Sequence, residues 1–121
     1  MGFIKSLGHA GRGIAEVLRS ERNARIHVVA ALGALLVGVL LGVSTAELAA
    51  IFFVILLVFL AELFNTVIEK TLDLIDSHDN PKIKLIKDMT AGGVLIAAIG
   101  AIIIGITIFW PYILGLVWRG R

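Results

Sequence analysis

Three apolar runs divide the chain, separated by short polar segments. They cover residues 26–43, 46–66 and 89–113, each about the length a helix needs to cross hydrocarbon. Ahead of them, residues 1–25 alternate differently. Phe3, Leu7, Ala10, Ile14, Val17 and Leu18 fall on one helical face, and Lys5, His9, Arg12, Glu16 and Arg19 on another. Such a basic amphipathic helix beside a spanning run is expected to lie in the membrane interface. Gly8, Gly11 and Gly13 weaken it and leave room for a kink. Nothing in these residues has the unbroken apolar core of a cleaved leader. The second run continues past residue 66 as a polar helix to about residue 76. The expected fold is therefore an all-α integral membrane protein: one amphipathic surface helix and three transmembrane helices in a single domain.

The separators carry their own signals. Ser44-Thr-Ala-Glu47 has N-cap chemistry and should start the second span. Ser77-His-Asp-Asn-Pro81 is a break, with Asn80 suited to cap a helix that begins at Pro81. Lys82 to Asp88 forms charged turns leading into the third span, and Pro111 can end or kink that span. Two ridges of small residues recur every four positions: Ala30, Ala34, Gly38 and Gly42, then Gly93, Ala97, Ala101 and Gly105. Ridges of this kind let helices approach closely in lipid. Trp110, Tyr112 and Trp118 mark an interfacial aromatic belt.

Composition agrees with a membrane domain. Of 121 residues, 59% are hydrophobic, and the mean hydropathy is +1.00, which excludes an ordinary soluble domain of this size. There is no cysteine, hence no disulfide framework and no thiolate metal site. The net charge is only +2, but its placement is uneven. Lys5, Arg12, Arg19, Arg22, Arg25, Lys70, Lys82, Lys84 and Lys87 lie at one end of the spans, and only Arg119 and Arg121 at the other. The positive-inside rule assigns the N-terminus and residues 67–88 to the cytoplasm. Every carboxylate except Glu47 is on that side too, so any chemistry belongs to the cytoplasmic surface.

The stretch that carries chemistry is Ala61 to Asp73. Residues 49–60 before it hold no charge, so Glu62 closes a strongly apolar run. Ionisable groups at that depth are rare and point to function. Glu62, Asn65, Glu69, Asp73 and Asp76 are spaced by three or four and share one helical face. For Asp73 and Asp76 the alternative is a helix end that has reached water. Together the rim holds Glu21, Glu62, Asn65, Glu69, Asp73, Lys87 and Asp88. Carboxylates with an amide suit magnesium, and cations beside them suit nucleotide phosphates. Glu62, the deepest carboxylate, is the candidate to accept a proton from an alcohol. These are parts of a phosphoryl-transfer site. No G-x-x-x-x-G-K-[ST] loop and no soluble-kinase signature is present. Arg12 and Arg19 suit lipid headgroups, and His9 and His27 read as interfacial, since no second ligand stands at zinc spacing.

Glu62-Leu-Phe-Asn65-Thr-Val-Ile-Glu69, then Asp73, then Lys87-Asp88-Met-Thr-Ala-Gly-Gly93, resembles the bacterial diacylglycerol kinase family of membrane lipid kinases. Length, span count and the amphipathic start match as well. His9-Ala-Gly-Arg-Gly-Ile14, Glu21-Arg-Asn23 and His27 resemble the branch of that family that phosphorylates undecaprenol. The resemblance implies a homotrimer with composite sites between subunits, transferring the γ-phosphate of MgATP to a lipid hydroxyl. It implies Glu62 as general base and Glu21 and Glu69 as ligands of the ATP-bound metal. Asn65 would belong to the network around Glu62 and the phosphates, and Lys87 would contact those phosphates. Asp88 would lie on the sugar or base side, with Arg12 and Asp73 also among the nucleotide-binding candidates. His9 departs from an aromatic residue common in the other branch, which bears on the adenine contact.

Three other readings remain at this stage. Diacylglycerol is the alternative acceptor. A small cation or proton transporter could use Glu62 as a carrier, but the first and third spans lack polar residues along their middles. A non-catalytic scaffold built on the small-residue ridges has no need of Asn65, Glu69 and Lys87-Asp88.

Overall fold

Four helices account for nearly all of residues 2–119, which the computed structural model describes. They are α1 (Phe3–Ser20), α2 (Arg22–Leu41), α3 (Thr45–Ile75) and α4 (Pro81–Arg119). Arg121, expected at the far end, lies outside the described residues. The last three helices are each long and apolar enough to cross a membrane.

Helix length sets the geometry of the charged end. The 20 residues of α2 rise about 30 Å at 1.5 Å each, close to the thickness of a hydrocarbon core. The 31 residues of α3 rise about 46 Å, so its last turns stand clear of any slab that α2 spans. Glu62 stands level with His27, a little over one turn inside the start of α2, Asn65 stands near that start, and Glu69 and Asp73 lie beyond it.

Local chemistry explains each boundary. The amphipathic pattern runs to Arg25, but α1 ends at Ser20 and Glu21 is extended. The break is stabilised from the following helix. Arg25 Nη1 donates to the carbonyls of Leu18 and Arg19, both at 3.0 Å, satisfying acceptors that a helix end leaves free. The three glycines of α1 do not interrupt it. Gly42 closes α2 at φ 68°, a left-handed conformation that favours glycine. Ser44 then builds a full capping box: Glu47 N–H donates to Ser44 Oγ at 3.3 Å, and Ser44 N–H donates to Glu47 Oε2 at 2.8 Å.

At the other end of α3, Asp76 terminates the helix. Its carboxylate accepts from His78 N–H at 2.9 Å, from His78 Nδ1 at 3.1 Å and from Asn80 Nδ2 at 3.2 Å. The backbone donor of His78, with the Asn80 amide and the His78 ring, holds that carboxyl below the usual carboxylate range. Asn80 in turn accepts from Lys82 N–H at 3.0 Å, and Pro81 takes the first helical position. The helix then runs through Pro111 to Arg119.

Packing is antiparallel along the chain. α3 is the central helix and lies against α4 along most of its length and against α2 over a shorter stretch. Asp73–Lys87, Asn65–Thr90 and Glu47–Tyr112 pairs set the α3–α4 register from end to end. Gly38 meets Ile51 and His27 meets Glu62, an advance of eleven residues along each helix in opposite directions. One stripe of α3, Ile51, Val58, Glu62 and Thr66, is buried. α1 touches the bundle through Val17 and through Lys70 Nζ, which donates to Glu16 Oε1 at 3.3 Å. That pair is exposed and contributes about 1 kcal/mol at most.

α2 and α4 barely touch, so a groove opens between them with α3 as its floor. Small residues keep it open: Ala30 and Ala34 on one wall, Ala98, Ala101 and Gly105 on the other. Gly38 has a different task. A Cβ there would sit 3.4 Å from Leu48 Cδ1 and 3.6 Å from Ile51 Cδ1, so the position tolerates a methyl group and nothing larger. Gly38→Ala should leave the thermal midpoint in detergent nearly unchanged. Gly38→Leu should push α2 off α3 and destabilise the fold by roughly 1–3 kcal/mol, the usual cost of overpacking. Thermal unfolding of the two variants side by side checks this.

Candidate active site

The site is built on α3 at the level where the helix leaves the apolar part of the bundle. Glu62 is 2% exposed and Thr66 1%. Thr66 Oγ1 donates to the Glu62 carbonyl at 2.9 Å, which ties its hydroxyl into the helix and leaves the Glu62 carboxylate unspent. No described side chain hydrogen-bonds that carboxylate. His27 Nε2 on α2 stands 4.0 Å from Oε2. No fully buried side-chain oxygen or nitrogen among the described residues lacks a partner, so the free oxygens of Glu62 open into the groove. An unpaired charge costs roughly 3 kcal/mol at the centre of a bilayer on insertion scales and less toward its edge, where Glu62 lies, but such groups are still rare within a span. A side chain held there needs a reason beyond stability.

One helical turn on, a chain of hydrogen bonds crosses from α3 to α4. Asn65 Nδ2 donates to Glu69 Oε1 at 3.0 Å. Thr90 Oγ1 lies 2.6 Å from Asn65 Oδ1 and 2.9 Å from the Lys87 carbonyl, donating its one proton between them. The amide is fixed at both ends, so its orientation is set. A further turn out, Lys87 Nζ donates to Asp73 Oδ1. Glu21 stands at the α1–α2 break, and Glu69 lies on the Glu62 face of α3, about two turns farther along.

The groove connects to this network. Its inner part is an apolar cavity of about 300 Å³, lined by Ala30, Ala34, Val58, Ala98, Ala101 and their neighbours. Its outer part, about 280 Å³, is lined by Asn23, His27, Glu62, Asn65 and Ala91, among others. His27 and Ala98 border both. The result is an apolar trough that ends at a carboxylate and an amide.

Of the residues singled out from sequence, Glu62, Asn65 and Glu69 share one network, and Lys87 and Asp73 form a pair beside it. Asp88 is exposed on a neighbouring face of α4. Arg12 is not brought to Glu62: its guanidinium donates to His9 Nδ1 on α1. Thr90, Asn23 and His27 join the site without having been assigned to it. Thr90 had a signal, since it stands one turn after Lys87 on the same helix face. Among the described residues no three His, Asp or Glu side chains converge as a metal cage.

The model of the family "Prokaryotic diacylglycerol kinase" matches residues 8–109. The chain belongs to this family. It is a multi-pass membrane lipid kinase, and membership implies ATP as phosphate donor. The chain is 46% identical over 109 residues to the undecaprenol kinase of Bacillus subtilis, covering 90% of this chain and 89% of that protein. It is 32% identical over 115 residues to a diacylglycerol kinase of Synechocystis sp., covering 94% of this chain and 66% of that protein.

In this lipid kinase the Thr90 hydroxyl is the anchor of the Asn65 amide. Thr90→Val keeps the shape and removes the donor. It should lower kcat/KM about tenfold, the size of one hydrogen bond, and Thr90→Ser should recover most of it. Steady-state kinetics with both variants is the check.

Proposed function

We propose that this kinase transfers the γ-phosphate of MgATP to the hydroxyl of undecaprenol, giving undecaprenyl phosphate and ADP. The observation that carries the reading is the apolar trough ending at Glu62. An isoprenyl chain needs apolar contact along its length and polar contact only at its hydroxyl. The trough offers that distribution, with His27 its only polar lining residue. Beyond His27 at its mouth, the ester groups of diacylglycerol would find no side-chain donors along it, and unmatched polar groups weigh against a substrate. The 46% identical relative, an undecaprenol kinase, supports the same acceptor.

The chemistry follows from the residues in place. The lipid tail stays in the apolar layer while its hydroxyl reaches the Glu62 carboxylate. Glu62 takes the hydroxyl proton as the oxygen–phosphorus bond forms, and ADP leaves with the electrons of the bond that breaks. Asn65, held by Thr90 and Glu69, orients the polar groups beside it. Lys87 exchanges Asp73 for the arriving phosphates and offsets their charge. Glu21 and Glu69 would hold magnesium, which neutralises phosphate charge when bound. Asp88 and Arg12 would serve the outer parts of the nucleotide. The cation bias of the loops supports a cytoplasmic active end in a bacterial plasma membrane. The exposed apolar residues of α1, Phe3, Ile4, Leu7 and Ile14, support its lying in the interface.

A homotrimer with shared sites fits the remaining surface. Ala61, Gly93, Ala97 and Gly100 line a shallow concave face between α3 and α4. Small residues there allow close approach of a helix from another copy.

The central test is a parallel assay of the purified chain on undecaprenol and diacylglycerol at equal mole fraction, with ATP and magnesium. A higher kcat/KM on undecaprenol is expected, and a preference for diacylglycerol would overturn the acceptor. In the same assay Glu62→Gln should keep the fold and lose turnover by about a hundredfold or more, since an amide cannot take the proton. Native kcat in that variant would remove Glu62 from the base role.

Glu21→Gln and Glu69→Gln should each raise the magnesium concentration needed for half-maximal rate and weaken MgATP binding. Each removes a hard oxygen ligand. Magnesium titration of both variants decides it, and an unchanged requirement in both would count against the ligand assignment.

A further inference from the structure

His27 stands at the one place where the apolar trough and the polar pocket meet. It lies within α2, in the first turns of an otherwise apolar span, where an imidazole is an unexpected side chain. Its side chain is 25% exposed, against 3% for the Glu62 carboxylate it faces. Nε2 and Glu62 Oε2 are 4.0 Å apart, too far for a direct hydrogen bond. The gap has a natural occupant. An oxygen atom making hydrogen bonds of about 2.8 Å to both atoms would bridge it, with the two bonds meeting at roughly a right angle.

We propose that His27 is an acceptor-binding catalytic residue, whose Nε2–H and the Glu62 carboxylate together bracket the hydroxyl of the lipid alcohol at the mouth of the trough. This rests on the lipid-kinase reading above and adds a residue to it. The hydroxyl oxygen accepts from Nε2 and donates its proton to Glu62. Its remaining lone pair is then free to point out of the trough toward the phosphate. When the proton passes to Glu62 and the oxygen–phosphorus bond forms, His27 neither gains nor loses a proton. Its work is positioning: a hydroxyl at the end of a long flexible chain is fixed by two bonds instead of one. Ala98 on the facing wall, without bulk, leaves the passage beside the ring open.

The proposal separates His27 from the nucleotide side of the reaction. His27→Phe keeps a planar ring and removes the donor, and His27→Gln supplies an N–H on a shorter group. In the Phe variant kcat/KM for the lipid alcohol should fall about tenfold or more. The KM for MgATP and the thermal midpoint should stay at the unmodified values. The Gln variant should regain activity to within about threefold. A Phe variant as active on lipid as the unmodified chain would overturn the assignment. So would a Gln variant as poor as Phe, or an equal loss of MgATP affinity. A substrate analogue gives a second reading. A farnesyl methyl ether can still accept from His27, whereas the parent hydrocarbon cannot. The unmodified chain should be inhibited at least fivefold more tightly by the ether, and the Phe variant should not tell them apart. Equal discrimination in both would refute the contact. The variants are compared on whichever lipid alcohol the unmodified chain turns over. A preference for diacylglycerol would thus correct the acceptor and leave the His27 result readable.

Discussion

The charged end of this protein depends on holding one carboxylate out of bulk water and out of lipid at once. Glu62 achieves this by facing a groove inside its own bundle. α3 supplies the carboxylate, α2 covers one side with His27, and α4 covers the other with small residues. If α2 and α4 met, the groove would close and the carboxylate would be stranded without a partner. If they stood further apart, lipid would reach it. Alanine and glycine at Ala30, Ala34, Ala98, Ala101 and Gly105 leave the space between α2 and α4 unfilled.

The neighbouring residues extend the same logic outward. Depth falls by about one helical turn from Glu62 to Asn65, by about two to Glu69 and by about three to Asp73. The partners change accordingly. Among the described residues the deep carboxylate has no hydrogen-bond partner, the next layer is a fixed amide chain, and the outer layer is a Lys–Asp pair that water can open. On the proposed function, the lipid would enter from the apolar side and the nucleotide from water, each reaching a different rung of this helix. The far end of the bundle has the opposite character. There Tyr112 donates to Glu47 Oε2 at 2.6 Å, which also completes the capping box. That carboxylate is consumed in joining α4 to the start of α3.

Much of this was legible in residue order alone. Apolar run lengths specify three spanning helices, because in hydrocarbon the backbone must satisfy its own hydrogen bonds. The three- and four-residue spacing from Glu62 to Asp73 places those side chains on one face without any tertiary information, because helix periodicity is local. Caps at Ser44 and Asn80 are local too, and both form where their side chains predict. The family motif then gave those residues a chemistry.

Other features depend on pairs distant in sequence, and no local pattern encodes them. The α1–α2 break needs Arg25 folded back on the carbonyls of Leu18 and Arg19. Tyr112 reads as an aromatic marker of the membrane interface until the α3–α4 register brings it to Glu47. Thr90 and His27 become parts of the site only when α4 and α2 are laid antiparallel to α3. The small-residue ridges carry the same lesson. Spacing showed that helices could approach closely there, but not which ones. Gly38 turns toward α3 within the chain, whereas Ala30 and Ala34 line a groove that α4 leaves open. Residue order determined the helices and the face that carries the chemistry, since those follow from periodicity and hydropathy. The pocket was decided by tertiary structure, because a pocket is set by the distance between helices and that distance belongs to no single segment.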